Sequence, residues 1–225
     1  MTQSPSALRA HEMNDRLIKI INRVEINTDY AYERDSLLAE KSPYLIEKCP
    51  SILDFAHSSR KWPGQYKKGQ VETADINGNP DYFIDICDAT TFPDKKFDAI
   101  ICGAILEHVY DPHQAVKNMF NALKPGGICF AYTPFFYRYH APKDLSYQDY
   151  YRFTKDGLAY MFRDFSSTTL YSARGHTSSV AFVYYSGWKY KLEKKIPKLS
   201  LFIDKIFGGY RHPTNVTGYD IWAVK

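Results

Sequence analysis

Short segments rich in apolar residues recur along the chain from residue 51 onward, and they predict strands. The predicted strands are Ile52–Phe55, Val71–Ile76, Ala99–Cys102 and Ile128–Thr133. Between the last two of these segments, apolar residues at three- and four-residue spacing predict a helix over His113–Leu123. Strands that alternate with helices in this way are typical of an α/β fold with a doubly wound, mostly parallel sheet.

The second half of the chain continues the pattern with different element types. Lys155–Phe162 predicts a helix, Thr168–Ala173 a strand, and Ser179–Phe207 a helical region interrupted at Pro197. The alternating residues of Tyr219–Val224 predict a final strand, which we expect at an edge of the sheet.

The first fifty residues carry helical rather than strand-like spacing. Apolar residues recur three and four positions apart at Leu8, Met13, Leu17, Ile20, Ile21 and Val24. We therefore predict an N-terminal helical extension over residues 1–50, with a second short helix at Ser36–Tyr44. At 225 residues the chain is long enough for one α/β domain, which we place at residues 51–225.

Composition and charge exclude several classes of protein. The longest apolar run, near Ala99–Leu106, is far shorter than the roughly 20 residues of a membrane-spanning helix. A net charge of +4 lacks the dense basic stripe of nucleic-acid modules, so no nucleic-acid partner is expected. The four cysteines have no C-x-x-C spacing, which predicts reduced core residues and a cytoplasmic protein.

Aromatic residues are abundant at 16%, including 19 tyrosines, and many lie between Tyr132 and Phe162. Such rings stack on sugars and bases, and they also fill cores. The basic, aromatic run Trp188–Lys198 permits weak contact with an anionic membrane surface, although a solvated helix face explains it equally simply.

The segment Phe97–Pro134 reads FDAIICGAILEHVYDPHQAVKNMFNALKPGGICFAYTP. It resembles the centre of the class I S-adenosylmethionine-dependent methyltransferases, whose usual form is FDxVxxxxxLEHVxDPxxxLxxxxxxLKPGGxLxxxTP. The resemblance extends over about Ile52–Phe165. It implies a Rossmann-like, seven-stranded sheet, S-adenosylmethionine as the cofactor and methyl transfer as the reaction.

The resemblance also implies where the cofactor binds. Asp75, followed by Ile76, ends the second predicted strand, where a carboxylate would accept the ribose hydroxyls. Asp88 and Ala89 match the family's D-A stretch, which contacts the adenine, and Gly103 would let the methionine part pass close to the backbone. Taken singly, each of these residues is more commonly an ordinary strand-end or turn residue.

The glycine-rich loop of the family departs from its usual form. The family carries VLDxGCGxG after its first strand; here Asp54 is kept, but Ala56, Ser58 and Arg60 occupy the glycine positions. A left-handed conformation costs a non-glycine residue roughly 1–2 kcal/mol.

Two explanations of this loop remain open. In a rebuilt loop, Ser58 and Ser59 cap the following turn and His57 or Arg60 binds the methionine carboxylate. Alternatively Arg60 fills the pocket, and the chain is a catalytically silent protein that binds a partner or ligand. A methyltransferase that acts on RNA or protein is a third, weaker alternative.

Beyond Thr133 the chain resembles methyltransferases often encoded with sugar and surface-polysaccharide enzymes, which carry TPFxxxxHxxPxDYxRFTxxGL. This implies O-methylation of a small polar or sugar-like acceptor, which could be a glycan. We expect His140 to be the general base, with Asp144 or Asp149 orienting it, because imidazole titrates near neutral pH. Arg152 would either bind an acidic group of the acceptor or pair with Asp149.

His108 in the LEHV turn is a second candidate base, and a role in holding that turn together is equally compatible. The seven histidines lack metal-ligand spacing, and no paired-aspartate pattern is present, so no metal is expected. The sequence does not fix the acceptor or the oligomeric state.

Overall fold

The structure, a computed structural model, describes residues 5–32, 36–55, 67–142, 146–185, 196–207 and 216–225. The helices are α1 (Pro5–Ile21), α2 (Ser36–Lys48), α3 (Pro112–Ala122), α4 (Lys155–Met161), α5 (His176–Tyr185) and α6 (Ile196–Phe207). The strands are β1 (Glu25–Tyr32), β2 (Ile52–Phe55), β3 (Val71–Asp75), β4 (Tyr82–Phe83), β5 (Phe97–Gly103), β6 (Leu123–Pro134), β7 (Ser167–Ala173) and β8 (Gly218–Val224).

These strands form one sheet in the order β1-β7-β8-β6-β5-β2-β3-β4. Every neighbouring pair is parallel except the two that involve β8, which runs antiparallel to β6 and to β7. From β2 the chain builds outward through β3 and β4, and it then returns to β5 on the other side. The boundary between β2 and β5 is therefore the switch point of a doubly wound sheet, as the sequence predicted.

The number of strands differs from the prediction, because the described sheet has eight rather than seven. The additional strand is β1, which lies within the region expected to be helical and pairs in parallel with β7, Ile26 opposite Leu170. Leu170 is completely buried, so the pairing places β1 beside a covered part of the sheet. The sequence of β1, EINTDYAY, alternates in the manner of a strand. The helical spacing of the apolar residues before it led to the prediction of a helix over the whole region.

The position of β8 also differs from the prediction. We expected an edge strand, whereas β8 lies between β6 and β7, with Trp222 opposite both Phe130 and Thr169. Asp220 and Ile221 point to opposite faces of the sheet, and both are completely buried. Both faces of β8 are therefore covered, although its alternating sequence had suggested one solvated face.

The core lies on both faces of the sheet. One hydrophobic cluster includes Val116 and Met119 of α3, and the other includes Leu37 and Leu45 of α2. The start of α3 follows the predicted chemistry, because the Asp111 carboxylate accepts a hydrogen bond from the Gln114 N–H at 3.0 Å.

All four cysteines are buried free thiols, as the sequence predicted: Cys49, Cys87, Cys102 and Cys129. Burial raises the pKa of Cys129 to about 12, which keeps its thiol protonated. None of the described helices combines the length and the apolar character that crossing a membrane requires. Most of the basic run at 188–198 lies outside the described residues.

Candidate active site

The carboxyl ends of the parallel strands define a crevice beside the switch point. Phe55, the last residue of β2, lies opposite Ala74 of β3 and Cys102 of β5. Asp75 and Gly103 are the next residues of those two strands, so they flank the point where β2 ends. Ligands of doubly wound sheets bind at this position, and the two residues are those that the sequence assigned to the cofactor.

Asp75 is half-buried, and its Oδ1 accepts a hydrogen bond from the Asn77 N–H at 3.1 Å. Ile76, which follows it, is 61% exposed. An exposed apolar side chain next to a carboxylate provides a surface for a planar base beside an acceptor for hydroxyl groups. Asp54 is completely buried within β2 and does not face solvent.

Asp88 and Ala89 form the start of a short 3-10 helix at Ala89–Thr91. The Oδ1 of Asp88 accepts hydrogen bonds from the backbone N–H and from the hydroxyl of Thr90, at 2.9 and 2.8 Å. These bonds lower the pKa of the Asp88 carboxyl, which is therefore ionised at neutral pH. The geometry gives Asp88 a capping role and leaves its Oδ2 as the oxygen available to a ligand.

A backbone feature that the sequence did not signal lies next to Gly103. Ala104 has a φ of 58°, in the left-handed region, and its N–H donates a hydrogen bond to the Tyr132 carbonyl at 2.9 Å. This conformation costs a residue with a Cβ roughly 1–2 kcal/mol. Such strain is concentrated at functional sites, and here it occurs at the edge of the crevice.

The loop that would complete the crevice lies outside the described residues. This applies to Ala56, His57, Ser58 and Arg60. Within the described part of the chain, two cavities of about 160 and 190 Å³ were found, beside α3 and beside α1, and neither is at the crevice. Both are smaller than the roughly 300 Å³ at which small-molecule pockets begin.

A second group of side chains forms where the loops after β5 and β6 meet. His108 follows β5 and His140 follows β6, and these strands are neighbours in the sheet. The two imidazole rings are 4.7 Å apart between centroids and are inclined at 72°. The two candidate bases predicted from the sequence are therefore in contact.

Asp149 holds His140 in place. Its Oδ2 lies 3.1 Å from His140 Nδ1 and accepts the His140 backbone N–H at 2.8 Å. Burial acts to raise the pKa of Asp149, whose side chain is fully buried. Hydrogen bonds from Arg152 and from the His140 N–H, together with the charges of Arg152 and of a protonated His140, outweigh it and lower the pKa to about 2.

Arg152 forms two hydrogen bonds with the Asp149 carboxylate, at 2.5 and 2.7 Å. Its other N–H groups donate to the backbone carbonyls of Tyr137, Arg138 and Tyr151. A guanidinium has five N–H donors, so this set engages all of them. Of the two roles that the sequence left open for Arg152, the geometry favours pairing with Asp149 over binding the acceptor.

His108 is held by the residue next to Asp149. Its Nδ1 lies 2.5 Å from the Gln148 carbonyl oxygen, which only accepts, so Nδ1 carries the proton and Nε2 has the lone pair. Burial lowers the pKa of His108 and favours the neutral ring. The bond also ties the LEHV turn to residue 148, which is the turn-holding role considered for His108. Asp144 lies outside the described residues.

Sequence reasoning did not single out Glu107. Its side chain is 1% exposed, and its Oε1 lies 3.7 Å from His108 Nε2. The Glu107 carbonyl accepts hydrogen bonds from the N–H groups of Tyr150 and Tyr151. An acidic residue directly before His108 in an otherwise apolar turn was the signal that could have identified it.

Aromatic rings surround the two histidines. The ring of Tyr137 lies 5.0 Å from His140 and that of Tyr147 lies 4.6 Å from His108. Several aromatic residues of these loops are more than a third exposed: Phe136, Tyr139, Tyr147, Tyr150 and Tyr151. Their exposed faces offer stacking surfaces to a ligand.

Comparison with known proteins places this geometry in context. Residues 60–131, which are 72 of the 225 residues, match a family described as a methyltransferase domain. The ubiquinone/menaquinone biosynthesis C-methyltransferase of Pasteurella multocida is 30% identical over 104 residues, which cover 36% of this chain and 39% of that protein. The Serratia proteamaculans enzyme of that name is 36% identical over 104 residues, covering 36% and 41%. The chain thus spans about two fifths of the length of these relatives.

Solved structures match this chain at lower identity. A SAM-dependent methyltransferase from Archaeoglobus fulgidus has a TM-score of 0.48 and 13% identity, covering 86% of this chain and 95% of that one. Phosphoethanolamine N-methyltransferase 2 of Haemonchus contortus, in complex with S-adenosyl-L-methionine, has a TM-score of 0.44 and 11% identity, covering 82% and 52%. Because both TM-scores are below 0.5, the family match carries the comparison. The match over residues 60–131 agrees with the predicted resemblance to methyltransferases and supports S-adenosylmethionine as the cofactor.

Proposed function

We propose that the chain is an S-adenosylmethionine-dependent methyltransferase that binds its cofactor in the crevice where β2 and β5 end. The observation that carries the proposal is the placement of Asp75 and Gly103 on either side of the end of β2. Both lie within the segment that matches a methyltransferase domain. The switch point, the ligand-type residues and the family match thus coincide.

Each crevice residue has a role that follows from its position. Asp75 would accept the ribose hydroxyls and Ile76 would pack against the adenine, while Asp88 Oδ2 and the Ala89 N–H would bind the edge of that ring. When bound, the cofactor supplies an electrophilic methyl group on a sulfonium. The residues of the crevice hold that methyl in line with the acceptor, which is where most of the rate enhancement of such a transfer originates.

His140 acts as the general base in this proposal. Its Nδ1 faces the Asp149 carboxylate, so the ring donates there and presents the lone pair of Nε2. The acceptor hydroxyl would give its proton to His140 Nε2, and the adjacent Asp149 carboxylate would stabilise the imidazolium that results. The cofactor would supply the methyl group and leave as S-adenosylhomocysteine when its sulfur–methyl bond breaks.

The acceptor that we propose is a small polar or sugar-like molecule, O-methylated beside His140. Exposed tyrosine rings next to the two histidines provide stacking faces of the kind that bind sugar rings. The relatives named above are C-methyltransferases, which makes a planar aromatic acceptor the comparison compound of choice in a substrate screen.

A single-domain protein confined to the cytoplasm, with no nucleic-acid partner, remains the prediction from sequence.

A catalytically silent binding protein is the second candidate. The observation that favours it is the sequence of the loop after β2, where Ala56, Ser58 and Arg60 stand in the family's glycine positions. In that case the crevice would hold no cofactor, and the tyrosine-rich loops would bind a partner or ligand without turnover.

Titration calorimetry with S-adenosylmethionine and S-adenosylhomocysteine tests the proposal directly. We expect micromolar binding to the wild-type protein and at least tenfold weaker binding to Asp75→Ala, because the variant lacks the acceptor for the ribose hydroxyls. Asp94→Ala, at an exposed aspartate away from the strand ends, is the matched control. Absence of binding to folded wild-type protein would establish the silent alternative, and unchanged binding to Asp75→Ala would remove Asp75 from the site.

A further inference from the structure

The two histidines of the site are held in the same way, and the arrangement is one that metal-binding histidines adopt. In each ring Nδ1 faces an oxygen: the Gln148 carbonyl at 2.5 Å for His108, and the Asp149 carboxylate at 3.1 Å for His140. In proteins, a histidine that binds a metal almost always donates its other ring N–H to a carboxylate or a backbone carbonyl. Here both kinds of partner are present, from consecutive residues.

The third member of the group is a buried carboxylate. The side chain of Glu107 is 1% exposed, and its Oε1 lies 3.7 Å from His108 Nε2. Ligand atoms of Glu107, His108 and His140 all lie within 4.8 Å of one another. Two histidines with one glutamate is an established ligand set for zinc.

We propose that Glu107, His108 and His140 bind one divalent transition-metal ion of the Zn²⁺ type, through a Glu107 oxygen and the two Nε2 atoms. This assignment goes beyond methyl transfer and does not require it. The sequence analysis expected no metal because the histidines lack metal-ligand spacing along the chain. The proposal differs because the three ligands come from two loops that are brought together only by the fold.

The distances are compatible with such an ion after a small adjustment. Ligand atoms at 2.0–2.1 Å in a tetrahedron lie about 3.4 Å apart. The separation of 3.7 Å between Glu107 Oε1 and His108 Nε2 is close to this value. His140 has the most freedom to approach, with 25% of its side chain exposed against 13% for His108.

The set leaves room for a further ligand. Three protein ligands leave the fourth position of a tetrahedral ion open, which is the arrangement of catalytic rather than structural zinc. An acceptor hydroxyl bound there would have a lowered pKa and would release its proton to solvent. The ion would then take over the activation of the acceptor from His140 Nε2, since one lone pair cannot serve both purposes.

Titration of metal-free, tag-free protein with Co²⁺, followed by visible absorption, tests the proposal. We expect one Co²⁺ per chain, with absorption bands of a four- or five-coordinate ion and displacement by Zn²⁺. No sulfur-to-cobalt charge-transfer band should appear, because the described ligand set contains no cysteine. A strong charge-transfer band would assign the ion to a cysteine and overturn the proposal.

Four variants separate the ligands from their supports. Glu107→Gln and His108→Gln should each weaken Co²⁺ binding at least tenfold. Asp149→Asn changes no ligand but removes the carboxylate that supports His140, and it should weaken binding about tenfold to a hundredfold. His113→Gln, at an exposed histidine of α3 outside the set, should bind as the wild type does. Circular dichroism establishes that each variant is folded, and His108→Gln, at a partly exposed residue, remains decisive should Glu107→Gln fail to fold.

The two proposals fail in different ways. If wild-type protein binds no Co²⁺ or Zn²⁺ in a one-to-one ratio, or if His108→Gln binds as tightly as His113→Gln, the metal site is refuted. Calorimetry with S-adenosylhomocysteine on metal-free protein reports on the crevice alone. Its result stands whether or not an ion binds.

Discussion

Replacing Asp149 by asparagine should destabilise the protein by at least about 2 kcal/mol at neutral pH. The substitution keeps the size of the side chain and removes the charge that pairs with Arg152 and His140. The pKa of this fully buried carboxyl falls from its usual 3.8 to about 2 in the folded protein. At 1.36 kcal/mol per pKa unit, a decrease of that size means that folding stabilises the ionised carboxylate over the protonated form by roughly 2.4 kcal/mol.

The dependence on pH has a definite sign. Because the folded-state pKa of Asp149 lies below its unfolded value, the stabilisation is complete above about pH 4 and is lost as the pH falls towards 2. The difference in unfolding free energy between wild type and Asp149→Asn should therefore narrow below pH 4.

Urea unfolding followed by circular dichroism at pH 7, 5 and 3.5 measures this difference. Asp94→Asn, at an exposed aspartate, is the control and should change stability by no more than about 0.5 kcal/mol. If Asp149→Asn lowers the free energy of unfolding at pH 7 no more than the control does, the argument that the Asp149 carboxylate is a buried, paired charge is refuted. A difference in unfolding free energy that is as large at pH 3.5 as at pH 5 would refute the lowered pKa of Asp149.

Two further substitutions test the strand packing and the helix cap that position the site. Gly218→Ala should destabilise the protein by about 1–3 kcal/mol, because the added Cβ would lie 2.3 Å from the Thr133 carbonyl oxygen in β6. Gly157→Ala, where the nearest atom is 3.4 Å away, is its control in thermal unfolding, and equal losses would contradict the packing argument. Asp111→Ala should cost about 1 kcal/mol of unfolding free energy through loss of the cap on α3, and Asp111→Asn should restore most of it. Failure of asparagine to restore stability would show that the cap is not what Asp111 contributes.

The parts of the fold that sequence predicted well are those in which local signals agree with one another. The strands β2 and β5 are mostly apolar and buried on both faces, and α3 combines periodic apolar residues with an aspartate-proline start. Asp75 and Gly103 were placed correctly because a residue at the carboxyl end of a parallel strand has little freedom of position.

What sequence missed depends on contacts between distant segments. The position of β8 between β6 and β7 is set by pairing across about ninety residues of chain, and its own alternation is that of any strand. Glu107 gained significance only when the fold brought His140 next to His108. The choice between two roles for Arg152 likewise depended on which backbone carbonyls lie within reach of the guanidinium.

The fixing of both histidines by consecutive residues has a consequence for how this protein can vary. Gln148 and Asp149 hold His108 and His140, and Arg152 closes the same short stretch onto the chain around Tyr137. Both imidazoles are therefore oriented from one stretch of five residues, 148–152, and a change in the length or course of that stretch would displace both rings together.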